Sequence, residues 1–188
     1  MGNAFFPCMS SPPVTLDAGT RHRFILKREV PMSQTSLLPD PVTDHLLTLL
    51  RRDLTAFEGE VLALTSDADL WRCLPGISNS VGNLALHVAG NLRHFVGGVL
   101  AGDGYVRDRD AEFARRAGSR AEILDELRKA RTVVEATLPG LTESQLTEPF
   151  PLAIEGQRFP TRVFLLRLAV HLAYHLGQAN HLRRILNA

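Results

Sequence analysis

Three histidines are the residues in this 188-residue chain whose types and spacing best suit chemistry. His171 and His175 lie four residues apart in HLAYHLGQ, and His87 lies far upstream in NLALHVAGN. A four-residue step on an α-helix leaves two side chains on one face, one turn apart. Two imidazoles from one helix and a third from a neighbouring helix can hold a divalent ion and leave coordination positions open, as catalytic sites do. The spacing therefore predicts a three-histidine metal site.

Four further polar residues lie near the predicted ligands. Gln178 follows the histidine pair on the same helical face, and Asn91 lies one turn beyond the upstream histidine. Amides bind transition metals weakly beside imidazole, so we expect these two to support the ligands or contact substrate. Tyr174 is a candidate for the same role, and Arg93 is a candidate anchor for an acidic substrate. The sequence assigns no catalytic residue.

Other metal-site patterns are missing from the sequence. It contains no HExxH zinc-protease motif, no ExxH pair of the di-iron bundles and no CxxCH haem-attachment motif. The charged run at 107–110, RDRD, is expected to be a solvated loop.

Composition limits the function classes. A formal net charge of +1 gives no reason to expect nucleic acid or an anionic membrane as a partner. No apolar run reaches the roughly 18 residues that a spanning helix needs. The two cysteines, Cys8 and Cys73, form no CxxC pair, which favours a reducing cytoplasm.

Hydrophobic periodicity predicts an all-α fold, a four-helix bundle. The helices are expected at about 41–64, from Ser80 to about Gly102, at 120–138 and at 161–186. Glycines inside the second helix lower its propensity, but they can permit close backbone approach.

The segments outside these helices also carry predictions. The polar connection 102–118 has seventeen residues, which is long enough to return along the bundle and make helices 2 and 3 parallel. The stretch around Glu155-Gly156 favours a small hairpin before helix 4. Residues 1–37 are proline-rich and aperiodic, so we expect a flexible extension, with Met32 as an alternative start, followed by one domain at 38–188.

Two sequence stretches carry a family resemblance. LWRCLPGISNSVGNLALHVAGNLRHFVGG and HLAYHLGQ resemble the DinB superfamily, and are most similar to a branch of uncharacterised bacterial proteins. The resemblance covers roughly 40–188 and includes RDRDAEFARR. The matching residues are Trp71, Pro75, Asn79, Ser80, Gly82, Asn83, Leu84, His87, Gly90, Asn91, Arg93, His171, Tyr174, His175, Gly177 and Gln178.

The resemblance implies an up-down-down-up bundle, often dimeric, with a divalent ion held at His87, His171 and His175. Relatives in the superfamily include enzymes that use low-molecular-weight thiols, such as thiol S-transferases. We therefore expect a cytoplasmic, homodimeric metal-dependent enzyme in which zinc or nickel activates a thiol or water. The substrate would be a small molecule, and the reaction transfer to an electrophile or hydrolysis. The alternative is a non-catalytic, metal-stabilised binding module of a stress response.

Overall fold

Four long helices form the bundle, and two short helices lie in its connections. The computed structural model describes residues 41–188; the predicted extension and the alternative start at Met32 lie outside them. The helices are α1 Pro41–Leu62, α2 Val81–Leu92, α3 Arg109–Ala114, α4 Arg120–Thr137, α5 Glu143–Thr147 and α6 Thr161–Leu186. The chain continues from α2 as a π-helix, Arg93–Ala101. The predicted four-helix bundle is confirmed; α3, α5 and the π-helix were not predicted.

Side-chain caps fix where two of the long helices begin. The Ser80 side chain accepts a hydrogen bond from the Asn83 backbone N–H, and the Asn83 side chain accepts one from Ser80. A capping box of Ser119 and Glu122 opens α4 in the same way. These reciprocal bonds satisfy N–H groups that the helix itself leaves without partners.

Helix α4 runs antiparallel to α1. Arg51, near the middle of α1, pairs with Glu135 at the end of α4 at 2.7 Å. At the other end, Arg120 at the start of α4 donates to the Leu64 carbonyl just beyond α1 at 2.9 Å. The two helices therefore point in opposite directions.

Helix α6 runs parallel to α1 and antiparallel to α2. Glu60 near the end of α1 pairs with Arg183 near the end of α6 at 2.8 Å. In α2 and its extension, His87 faces His171, whereas Phe95, eight residues later, packs on the earlier Phe164. The long helices follow the predicted up-down-down-up order.

The connection that leads to α4 packs closely along the π-helix that continues α2. A Cβ atom added at Gly98 would lie 2.9 Å from the Tyr105 carbonyl oxygen, and one added at Gly97 would lie 2.4 Å from Asp103 Oδ2. These glycines lack the atom that would hold the connection away, as the sequence predicted. The connection is therefore close enough to place α3 on α2.

The predicted hairpin before α6 is reduced to two isolated antiparallel bridges. Pro149 pairs with Pro160, and Ile154 pairs with Gln157 around a tight turn. Within residues 41–188 the chain forms no continuous strand here. Prolines at both ends of the segment remove backbone donors that a ladder would need.

The core of the bundle consists of aliphatic and aromatic side chains from all four long helices. Phe57, Leu84, Leu127 and Leu165 are among those fully or almost fully buried. In the stretch from 41 to 188, no helix combines the length and apolar character needed to cross a bilayer.

We predict opposite effects for alanine at two helical glycines. Gly98→Ala should lower the free energy of unfolding by about 1–3 kcal/mol, because its Cβ would overlap a backbone carbonyl that cannot rotate away. Gly59→Ala, in α1 with no atom within 4 Å of the added Cβ, should raise it by about 0.5–1 kcal/mol through helix propensity. Urea denaturation measures both, and equal effects would contradict the packing of the connection on helix 2.

Candidate metal centre

The three predicted histidines meet between α2 and α6. His87 is buried, and His171 and His175 are half-buried. One ring nitrogen from each lies within 4.8 Å of one from each of the others. The closest pair is Nε2 of His87 and Nε2 of His171, 3.0 Å apart. The ring centroids of His171 and His175 are 4.4 Å apart, as expected for a four-residue helical step.

This arrangement fits one divalent ion. Nitrogens that each lie about 2.1 Å from zinc are about 3.0–3.4 Å from one another, depending on the angle between the bonds. Two imidazole nitrogens that face each other at 3.0 Å must share a proton or a cation, because two bare lone pairs would repel. The three residues can therefore hold a metal ion.

Gln178 orients the His175 ring. Its Oε1 lies 2.7 Å from His175 Nδ1, and its Nε2 donates to the Tyr174 hydroxyl oxygen at 3.1 Å. Because an amide oxygen can only accept, Nδ1 of His175 carries the proton. Nε2 of the same ring then keeps its lone pair for a metal.

Glu112 is the residue at this centre that the sequence reasoning missed. It lies on α3, is buried, and places Oε2 at 3.1 Å from His87 Nδ1. Arg107 donates to both oxygens of this carboxylate at 2.7 Å, and its Nη2 also lies 3.1 Å from His87 Nδ1. One ring nitrogen cannot donate to the carboxylate and accept from the guanidinium together. Arg107 Nη2 donates to Glu112 Oε2 at 2.7 Å, which is shorter than its 3.1 Å separation from His87 Nδ1. We therefore assign the hydrogen bond of His87 Nδ1 to Glu112 Oε2, with the ring nitrogen as the donor.

A glycine makes this contact possible. A Cβ added at Gly90, one turn after His87 on α2, would lie 2.0 Å from Glu112 Oε1. The Asn83 side chain holds α3 in place by donating to the carbonyl oxygens of Glu112 and Arg115, each at 2.9 Å. Gly90 leaves room for a side chain beside His87, but the sequence does not show which residue fills that room.

The structure corrects part of the expectation that 107–110 is a solvated loop, because Arg107 is not solvated and α3 begins at Arg109. Arg107 is partly buried against Glu112, and the Asp108 side chain caps α3 by accepting from the Ala111 N–H at 2.9 Å. Arg107 and Asp108 therefore hold α3, whereas the side chains of Arg109 and Asp110 are exposed.

The other candidate residues differ in their burial and in their contacts. Asn91 is buried one turn beyond His87. Tyr174 is exposed, with its ring centroid 5.1 Å from that of His175. Arg93 is bound to Glu126 and lies over the Tyr105 ring at 3.9 Å. A substrate-anchoring role for Arg93 stays a prediction, and its guanidinium already has partners.

Burial keeps the imidazoles of His171 and His175 neutral. Burial, then the neighbouring histidines and the charges of Arg107 and Arg109, lower the pKa of His171 to about 3. Burial lowers the pKa of His175 to about 4, although its hydrogen bond to Gln178 acts in the opposite direction. Burial alone would raise the pKa of Glu112, but hydrogen bonds from His87 and Arg107 outweigh it and lower that pKa. The neutral rings of His171 and His175 therefore have lone pairs ready for a cation at pH 7.

Aromatic side chains border the site. The Phe113 ring centroid lies 4.7 Å from that of His87, and the Arg109 guanidinium lies 5.0 Å from the Phe113 centroid. Beyond Gln178 lies a cleft of about 390 Å³, which is lined by Gly76, Ile77, Ser78, Asn79, Leu84, Gln178, His181 and Leu182. The cleft meets the site at Gln178, the hydrogen-bond partner of His175.

Comparisons with known proteins give a family and a fold. The family described as a protein of unknown function, DUF1572, matches residues 46–188. A crystal structure of a DinB-like protein from Bacillus cereus ATCC 10987 is similar in fold, with a TM-score of 0.61 and 23% sequence identity over 77% of this chain and 92% of that chain. No curated protein matches this chain. The expected DinB-like fold is thereby confirmed.

We predict that acid destabilises the metal-stripped protein partly through two histidines. The pKa values of His171 and His175 are lower in the folded protein, about 3 and 4, than the ordinary 6.5. As the pH falls, protons therefore bind these histidines in the unfolded chain first. The contribution of the two histidines to the free energy of unfolding should be constant above pH 6.5 and fall from there toward about pH 4. Urea denaturation across this range should show a flatter pH dependence in a His171→Leu/His175→Leu double variant. An unchanged dependence would contradict the buried, neutral state of these rings.

Proposed function

The chain belongs to the DUF1572 family, and from its three-histidine centre we propose that it is a metal-dependent enzyme of the DinB type. The observation that supports this most is the convergence of His87, His171 and His175, whose ligand nitrogens all lie within 4.8 Å of one another. A purely structural metal site has four protein ligands and no open position. Within residues 41–188, only three histidine, cysteine or acidic side chains group here.

The chemistry of the proposal follows from this donor set. A divalent ion bound by three neutral imidazoles lowers the pKa of a thiol or water at its open positions and so supplies a nucleophile at neutral pH. Imidazole ligands suit zinc and nickel, and we propose one of these. A low-molecular-weight thiol is the proposed cosubstrate, and water takes its place if the reaction is hydrolysis.

Two side chains of this protein would hold the ligands in the required form. Glu112 keeps the proton of His87 on Nδ1, and Gln178 does the same for His175. Each interaction leaves Nε2 without a proton and fixes the ring plane. Partners of this kind raise the basicity of a ligand and reduce the entropy lost when metal binds.

The proposed transfer is a nucleophilic substitution. The thiol sulfur attacks an electrophilic carbon of the substrate, its proton passes to solvent, and the leaving group departs with the bonding electron pair. Phe113 and Tyr174 border the side from which both reactants would enter. In hydrolysis the water oxygen attacks instead.

Compartment and assembly are part of the proposal. The cytoplasm is the proposed location, and Cys73 carries a free thiol. A homodimer is the proposed assembly. Val163, Leu166 and Val170 are exposed along α6 and supply apolar surface that a second copy of the chain can cover.

A histidine substitution tests the centre directly. Protein purified without a metal column should contain about one zinc or nickel ion per chain, and His175→Ala should contain almost none. The matched control is His181→Ala, an exposed histidine of the same helix, which should keep its metal. With a panel of small thiols and 1-chloro-2,4-dinitrobenzene as the electrophile, loss of metal should abolish conjugation. Unchanged metal in thoroughly dialysed His175→Ala would refute the assignment.

Glu112→Gln should weaken metal binding without removing a ligand. We expect a 10- to 100-fold higher Kd, roughly the effect of losing a partner of a metal-bound histidine. Competition with a chromophoric chelator measures the Kd, and circular dichroism checks that the bundle is intact. Gly90→Ala should act in the same direction because its Cβ would displace the Glu112 carboxylate. An unaltered Kd in both variants would show that Glu112 does not orient His87.

A further inference from the structure

Arg109 is a cation at the border of the metal centre, and its contact within residues 41–188 is with the face of an aromatic ring. It lies on α3, and its side chain is exposed over the Phe113 ring, with Cζ 5.0 Å from the centroid. Phe113 in turn packs on His87, with 4.7 Å between ring centroids. Among residues 41–188, the Arg109 side chain forms no ion pair or hydrogen bond.

The neighbouring arginines differ from Arg109 in this respect. Arg107 is bound to the Glu112 carboxylate through two hydrogen bonds of 2.7 Å. Arg93 is bound to Glu126. Both cations are therefore compensated, and Arg109 is left with its guanidinium donors available to a ligand.

Arg109 lies close to the three histidines, next to Phe113. The Arg109 Cζ lies 5.0 Å from the Phe113 ring centroid, and that centroid lies 4.7 Å from the His87 ring centroid. The distance from the guanidinium to the His87 ring centroid cannot exceed the sum of these two distances. A ligand atom at the open side of the three histidines would therefore be a few covalent bonds away from a group that Arg109 can contact. The planar guanidinium fork matches a carboxylate, to which it can donate two parallel hydrogen bonds.

We propose that the substrate or cosubstrate of this site carries a carboxylate a few bonds from its reacting atom, and that Arg109 binds this group. The inference rests on the proposed function, because it needs a metal ion at the three histidines. Arg109 supplies the uncompensated charge at this border, since Arg107 is bound to Glu112.

Two small thiols that differ mainly in one carboxylate test the inference. Protein loaded with Co²⁺ is titrated with 3-mercaptopropionate and with 2-mercaptoethanol, and each Kd is read from the sulfur-to-cobalt charge-transfer absorption. Wild-type protein should prefer the carboxylated thiol. Arg109→Ala should lose about 10- to 100-fold in affinity for it, the usual value of a hydrogen-bonded charge pair. The Kd for 2-mercaptoethanol should be unchanged.

Two further variants make the result specific. Arg109→Lys should retain part of the preference, because it keeps the charge but not the fork. Arg128→Ala, an exposed arginine of α4, should behave as wild type and controls for net charge. If Arg109→Ala keeps the full preference, or Arg128→Ala loses as much, the inference is overturned while the metal centre stands. If wild-type protein binds no Co²⁺, or neither thiol alters its spectrum, the proposed function fails and the inference fails with it.

Discussion

The structure of this centre depends on a buried carboxylate that rests on a glycine. Glu112 lies over Gly90 of α2, where any side chain would collide with it, and it contacts both Arg107 and His87. Removing one partner of a buried ion pair typically costs about 3–5 kcal/mol, because the other charge is left without compensation. The carboxylate therefore ties the long connection to α2. The same contact determines which nitrogen of His87 carries a proton.

The bundle supplies the remaining geometry through helix spacing and direction. The four-residue step on α6 aligns His171 with His175, and the antiparallel packing of α2 brings His87 to the same level. Connection 102–118 returns along the bundle, so α4 runs parallel to α2 and α3 lies across the site. Glycines on helix 2 permit this close path. A sequence with larger residues at those positions would keep its helices but would lose Glu112 from the centre.

Much of this arrangement could be predicted from the sequence. Apolar periodicity located the four long helices, and the histidine spacing identified the three rings that the structure brings together. Glu112 was missed because a charged residue in a polar segment normally faces water, and α3 has only six residues, too few to show a period. The π-helix Arg93–Ala101 was missed because its apolar pattern does not differ enough from that of an α-helix. Arg107 could be recognised only once its buried partner was known.

The central claim is that three imidazole nitrogens bind one cation and leave part of its coordination sphere open. X-ray absorption spectroscopy at the metal edge of the natively loaded protein tests it most directly. The account predicts three imidazole nitrogens at about 2.0–2.1 Å, together with one to three light-atom ligands supplied by water or substrate. A closed sphere of four protein ligands, a thiolate from this chain, or fewer than three imidazoles would contradict it.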